Sequence, residues 1–185
     1  MRKARFVAGI LTLALATAPP LGARPALAAS AAELNRDANN ALAALYSSVP
    51  EAKNLVASAK GVLVFPSIVK AGFLFGAQYG EGVLRKQGKT VGYYNSVAAS
   101  YGMQAGVQSL GYVLLFMTDS GLGYLDKSEG FELGVGPSIV VLDQGKARTL
   151  TTSTMQSDIY AFIFEQRGLM AGMGLQGSKI RRISK

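Results

Sequence analysis

The sequence predicts an α+β domain in which N-terminal helices pack on a strongly bent, barrel-like antiparallel β-sheet. Three observations predict it. Apolar residues recur at helical spacing up to residue 59; from Gly61 onward short apolar or alternating runs are separated by Gly, Asp, Lys and Ser; and glycine recurs inside those runs at Gly72, Gly76, Gly80 and Gly82. Helices followed by many short strands segregate into a helical layer and a sheet. Glycine within a strand marks a bulge, a tight bend or a close approach of backbone, the devices that curve a sheet toward a barrel.

The first segment stands outside that fold. Arg2, Lys3 and Arg5 form a basic start, Phe6 to Ala18 an apolar stretch too short to span a bilayer, and Ala26-Leu27-Ala28 a small-residue cleavage site. Residues 1–28 are therefore expected to be an export signal, and 29–185 one domain acting in the periplasm or outside the cell. Removing the signal takes away four of the 19 basic residues and none of the 11 acidic ones, so the formal charge falls from +8 to +4. Much of the remaining excess sits at Lys179, Arg181, Arg182 and Lys185. A basic face suited to nucleic acid is absent, and an exported chain has little occasion to meet one. The chain has no cysteine, so its core alone must hold it together.

Ser30 with Glu33 forms a capping box, and Leu34, Ala38, Ala41, Leu42 and Leu45 follow on one helical face. Ser48 with Glu51 reads as a second box, with Pro50 in the first turn and Gly61 beyond the end. Strands are expected at Val62–Phe65, Ala71–Leu84, Val91–Tyr101, Gly111–Thr118, Phe131–Val135, Ser138–Leu142, Asp158–Phe164 and Leu175–Ile183, with a brief helix at Asp119–Lys127. Within Ala71–Leu84 the alternation gives one bulky face, with Phe73, Phe75, Ala77, Tyr79 and Val83, and one nearly bare face of glycines. The glycines either let the strand coil against its neighbours or leave a trough that an apolar chain could fill.

Catalytic motifs fail on context. With no His and no Cys, the common nucleophile triads and transition-metal clusters are excluded. Ser67-Ile68-Val69-Lys70 matches S-x-x-K but sits in a strand-like run rather than at a helix start. Gly172 to Gly177 spells G-x-G-x-x-G with too little chain after it for a dinucleotide site. The carboxylates are scattered and read as solvated turns. No catalytic residue, metal ligand or cofactor is therefore assigned. Two basic clusters remain, Arg85, Lys86 and Lys89 in a hairpin and Lys179, Arg181 and Arg182 on the last strand. As charged edges they discourage aggregation; as a site they would contact anionic lipid headgroups.

The segments AKGVLVFPSIVKAGFLFGAQYGEGVL, YYNSVAASYGMQAGVQS, YVLLFMTD, GFELGVGPSIVVLD and RGLMAGMGLQGSKIRRI together resemble the SYLF domain, also called the actin-binding domain of yeast endocytic adaptors. The resemblance runs from about Ala31 to Ile183. It implies a helical N-terminus on a bent antiparallel sheet and a lipid-binding module without catalysis, whose relatives bind phosphoinositides and in some cases actin. Behind an export signal, actin is not the expected partner. The expectation is a non-enzymatic lipid-binding domain of the cell envelope, contacting anionic phospholipid through Arg85, Lys86, Lys89, Lys179, Arg181 and Arg182. The competing reading is an envelope scaffold whose sheet edge pairs with a protein partner.

Overall fold

The computed structural model describes residues 29–73, 75–101, 106–126, 131–132, 138–142, 147, 156–168 and 178–185. The expected export signal and the Gly172–Gly177 motif lie outside the described residues.

Helix α1 runs Ala31–Ser48, and its capping box forms as expected: Glu33 Oε2 accepts from the Ser30 backbone N–H at 2.9 Å, while Ser30 Oγ accepts from the Glu33 N–H at 3.2 Å. The hydroxyl of Ser30 also donates to Glu33, and these bonds hold its carboxyl below the usual carboxylate range. The expected stripe of Leu34, Ala38, Ala41, Leu42 and Leu45 is the buried one. The second box does not form. Ser48 is the last residue of α1 and donates backward to the carbonyls of Ala44 and Leu45, and α2 (Ala52–Ser58) starts with no side-chain cap. No described helix is long and apolar enough to cross a membrane.

The strands are β1 (Gly61–Phe73), β2 (Phe75–Lys86), β3 (Lys89–Tyr101), β4 (Gly106–Phe116), β5 (Phe131–Glu132), β6 (Ile139–Leu142), β7 (Ile159–Gly168) and β8 (Lys179–Ile183); α3 (Asp119–Gly123) follows β4. They form one sheet in the order β5-β8-β3-β2-β1-β4-β7-β6. The α+β class is as expected, but the sheet is mixed, because β6 and β7 run parallel, and it is not closed into a barrel. The run expected as one strand from Ala71 to Leu84 is a hairpin that reverses between Phe73 and Phe75. Even positions pair with even ones across that turn, as in Gly72 with Gly76 and Lys70 with Gln78, so the two-face alternation survives the reversal.

Two apolar layers sandwich the sheet. On the front, α1 and α2 cover Val62, Val64, Val83, Val113, Leu115, Tyr160 and Phe162. On the back, Leu122 and Leu125 pack with Leu63, Phe65, Ile68, Leu84, Tyr94, Tyr112, Leu114 and Ile180. The register of β1 shifts between Val64 and Ser67, so Phe65 and Ile68, three residues apart, both reach the back. Pro66 sits in that bulge, where a missing N–H breaks no ladder bond.

Candidate functional site

Beyond the helices, the described residues leave the front of the sheet uncovered. Register aligns Val97, Tyr79, Val69 and Ser109 in one row across β3, β2, β1 and β4, and Ala99, Ala77, Ala71 and Val107 in the next. Phe75 is 71% exposed, Val107 62%, Tyr79 49% and Val69 48%. These are the bulky positions of the alternation, and the residue types would suit a core. A contiguous apolar patch of this kind marks a surface that meets something other than water.

The neighbouring strands add charge to the same rows. Lys179 stands beside Val97, and Arg181 beside Asn95, on the front of β8; Glu132 of β5 is the other neighbour of Lys179. On the far side Arg167 aligns with Ser109 and is exposed. The sequence reading missed Arg167. Its place depends on a shift in register at β7, where Glu165 has φ 51°, and alternation alone puts the residue on the wrong face. The bare end of the front is thus an apolar field with cations at both borders.

The six expected contact residues do not come together. Lys179 and Arg181 border the apolar field. Arg182 points to the back of β8 and donates to the Val91 carbonyl at 3.1 Å. Lys86 and Lys89 flank the hairpin turn at Gln87 and Gly88, which both have positive φ. Lys86 is seven positions along β2 from Tyr79, roughly 23 Å at strand rise. Arg85 lies under α1, donating through Nη2 to the Asn35 carbonyl at 3.2 Å. Asn35 anchors the helix to the sheet in two further bonds, to Tyr93 Oη at 2.8 Å and from Thr90 Oγ1 at 2.6 Å.

The glycine face is not a trough. A Cβ on Gly82 would stand 2.7 Å from the Phe65 ring and 2.8 Å from the Val64 carbonyl oxygen. One on Gly80 would meet the end of the Ile68 side chain and, at 2.6 Å, the Ser67 carbonyl oxygen. One on Gly72 would run into the Gly76 backbone across the hairpin. The space is filled by this chain's own β1 at Gly80 and Gly82 and by β2 at Gly72, which removes the reading in which a lipid tail fills the bare face at these positions. Farther along the back, Gln78, Lys70 and Gln108 form a buried polar row across β2, β1 and β4, with Gln78 Nε2 donating to Ser178 Oγ at 3.1 Å.

Tyr79 is steadied where it stands. Its hydroxyl donates to Glu81 Oε1 at 2.9 Å, and Glu81 Oε2 receives the Lys185 ammonium at 2.7 Å. The Lys185 side chain is 7% exposed although its terminal backbone is open, and it also donates to the Ala29 carbonyl. Partial burial raises the Tyr79 phenol above its ordinary range, and the Glu81 carboxylate adds to that. No group of three or more acidic, His or Cys residues suited to a metal ion occurs among the described residues.

No curated protein matches the chain. A family model does: the one described as Ysc84, Las17-binding protein actin regulator, matches residues 97–184, which include β4, β7 and β8 and most of the layer behind the apolar field. Over residues 97–184 the chain is thus similar to the Ysc84 (SYLF) domain family, which is consistent with the SYLF resemblance of its segments.

Proposed function

We propose that this chain is a non-enzymatic binding domain of the cell envelope that docks on anionic membrane surfaces through the bare end of its front face. One observation carries the reading: Phe75, Val107, Tyr79 and Val69 are exposed on a single sheet face that Lys179 and Arg181 border on one side and Arg167 on the other. Three cations near an anionic bilayer contribute about 3 kcal/mol together, weaker than millimolar attraction. A buried phenylalanine adds roughly 1.5–3 kcal/mol, so apolar insertion and charge must act together. The family model's description names Las17 binding and actin regulation. On the proposed export of the chain, a membrane surface is the available partner, and the lipid side of SYLF function is the one this reading takes.

The test is cosedimentation with vesicles of neutral lipid and of neutral plus anionic lipid, at low and high salt. Binding should require anionic lipid and weaken with salt. Phe75→Ser with Val107→Ser should abolish it. Lys179→Gln with Arg181→Gln should weaken it about 30-fold, at about 1 kcal/mol per cation. Lys86→Gln with Lys89→Gln, at the far hairpin, should leave it unchanged. Binding that ignores lipid charge, or that only the hairpin pair abolishes, would sink the surface named here. No binding to any vesicle, with a protein crosslinked to the open sheet edge, would favour the scaffold reading.

A further inference from the structure

A cavity of about 480 Å³ lies between α1, α2 and the β2–β3 hairpin, at the covered end of the front face. Leu42, Val56, Ala57 and Val62 give it apolar walls, Tyr46 a phenol, and Arg85 its one charged lining residue. The volume is within the range of pockets that hold small ligands, roughly 300–1,000 Å³. Arg85 is the feature that needs explaining. Its Nη2 reaches the Asn35 carbonyl, yet its Nε is buried with no hydrogen-bond partner, and no carboxylate pairs with it among the described residues. A buried guanidinium donor left idle is unfavourable unless an acceptor arrives.

We propose that this cavity binds an anionic amphiphile, its carboxylate or phosphate head accepting from Arg85 and its apolar chain lying against Leu42, Val56 and Val62. An oxyanion supplies what the site lacks, an acceptor of opposite charge, and guanidinium groups favour such oxygens because their N–H donors match them two at a time. Tyr46 is close enough to Arg85 for that charge to act on its phenol, whose pKa burial nonetheless raises, so it stays protonated as a second donor. The apolar walls then select a chain over a bare ion. Six residues of β2 separate Tyr79 from Arg85, roughly 20 Å, so this site is independent of the membrane-docking surface.

Isothermal titration of the full chain tests it, with dodecanoate and dodecyl phosphate kept below micelle formation, and with dodecyl maltoside and inorganic phosphate as separate probes. Both acidic amphiphiles should bind with one site per chain. The neutral maltoside should bind at least about tenfold more weakly, and phosphate alone should not bind. Arg85→Gln should weaken the acidic amphiphiles about 10- to 100-fold, the loss expected for a charge-assisted hydrogen bond. Ala57→Phe narrows the cavity from an exposed position on α2 and leaves Arg85 in place; it should weaken them similarly with an unchanged melting temperature. Lys179→Gln with Arg181→Gln should bind as the parent does, which separates this site from the vesicle surface. Equal binding of the maltoside, binding of inorganic phosphate as tight as that of dodecyl phosphate, indifference to both cavity variants, or no binding at all would each overturn the proposal.

Discussion

Phe65 and Phe75 sit ten residues apart in one pair of hydrogen-bonded strands, and the sheet treats them in opposite ways. Phe65 is 0% exposed on the back, its ring 4.6 Å from that of Tyr112, whereas Phe75 is 71% exposed on the front. The back, where the glycines stand, is full, because β1 lends its Ile68 and Phe65 side chains to Gly80 and Gly82. The front, where the bulky residues stand, is left bare past the helices by the described residues. Glycine in this strand pair therefore marks the side that packs most closely, and the large apolar residues mark the side that is exposed. At about 27 Å, α1 alone cannot cover the roughly 43 Å of β1 even if laid along it.

The widest separation between the two faces should appear when these two rings are removed. Phe65→Ala leaves a hole in the back layer and should cost about 3–5 kcal/mol of stability. Phe75→Ala should cost about 1 kcal/mol or less, since most of that side chain is exposed. Chemical denaturation followed by far-UV circular dichroism reads both. A large loss for Phe75→Ala would mean that the front is covered in solution, by a second copy or by another part of the chain, and would break the comparison at its base.

A smaller effect separates the glycines from ordinary strand positions. Gly82→Ala places a methyl against the Phe65 ring and the Val64 carbonyl, and since the carbonyl cannot rotate away, the substitution should cost about 1–3 kcal/mol despite the better strand propensity of alanine. Ala77→Gly, on the exposed front of the same strand, should cost no more than about 1 kcal/mol. If Gly82→Ala were neutral in a urea titration, the close packing of β1 on the glycine face would be wrong.

These contrasts also explain what could be read from the sequence. The α1 stripe and its Ser30–Glu33 box were legible because both are local, set by spacings of three and four residues. The two-face pattern between Lys70 and Val83 was legible as well, even though the turn inside it was not: pairing Gly72 with Gly76 keeps parity, so a hairpin and a single strand share one alternation. What fills each face was not legible. Ile68 reaches Gly80 only because the bulge around Pro66 changes which residues of β1 share a face, and Arg167 reaches the front only through the positive φ of Glu165. The basic clusters were read as one class because charge is visible in sequence. Register alone divides them among the apolar border, the back of β8, the hairpin tip and the cavity under α1.

The smallest effect expected is also the most diagnostic, and it concerns two tyrosines. Tyr112 is fully buried on the back, and its hydroxyl has only the Ser96 hydroxyl nearby and no well-formed hydrogen bond among the described residues, while Tyr79 on the front donates to Glu81. Burial pushes the Tyr112 phenol far above its ordinary value, and the nearby Ser96 hydroxyl only partly opposes this. A folded pKa above the unfolded one means that the contribution of Tyr112 is fully present below about pH 10 and declines as pH rises above it, because only the unfolded chain can readily release that proton. Tyr112→Phe deletes an unsatisfied hydroxyl and should leave stability at pH 7 unchanged or raise it by up to about 1 kcal/mol. Above pH 10 the variant should gain further on the parent, while Tyr46, Tyr79 and Tyr94, also raised, keep some alkaline decline in both. Thermal melts at pH 7 and at pH 10.5 measure the difference. A loss of more than about 1 kcal/mol at pH 7 would mean that Tyr112 does have a partner. The back layer would then be held by a buried polar contact as well as by close packing, and the contrast between a face that is merely full and a face that is merely bare would have to be redrawn around that bond.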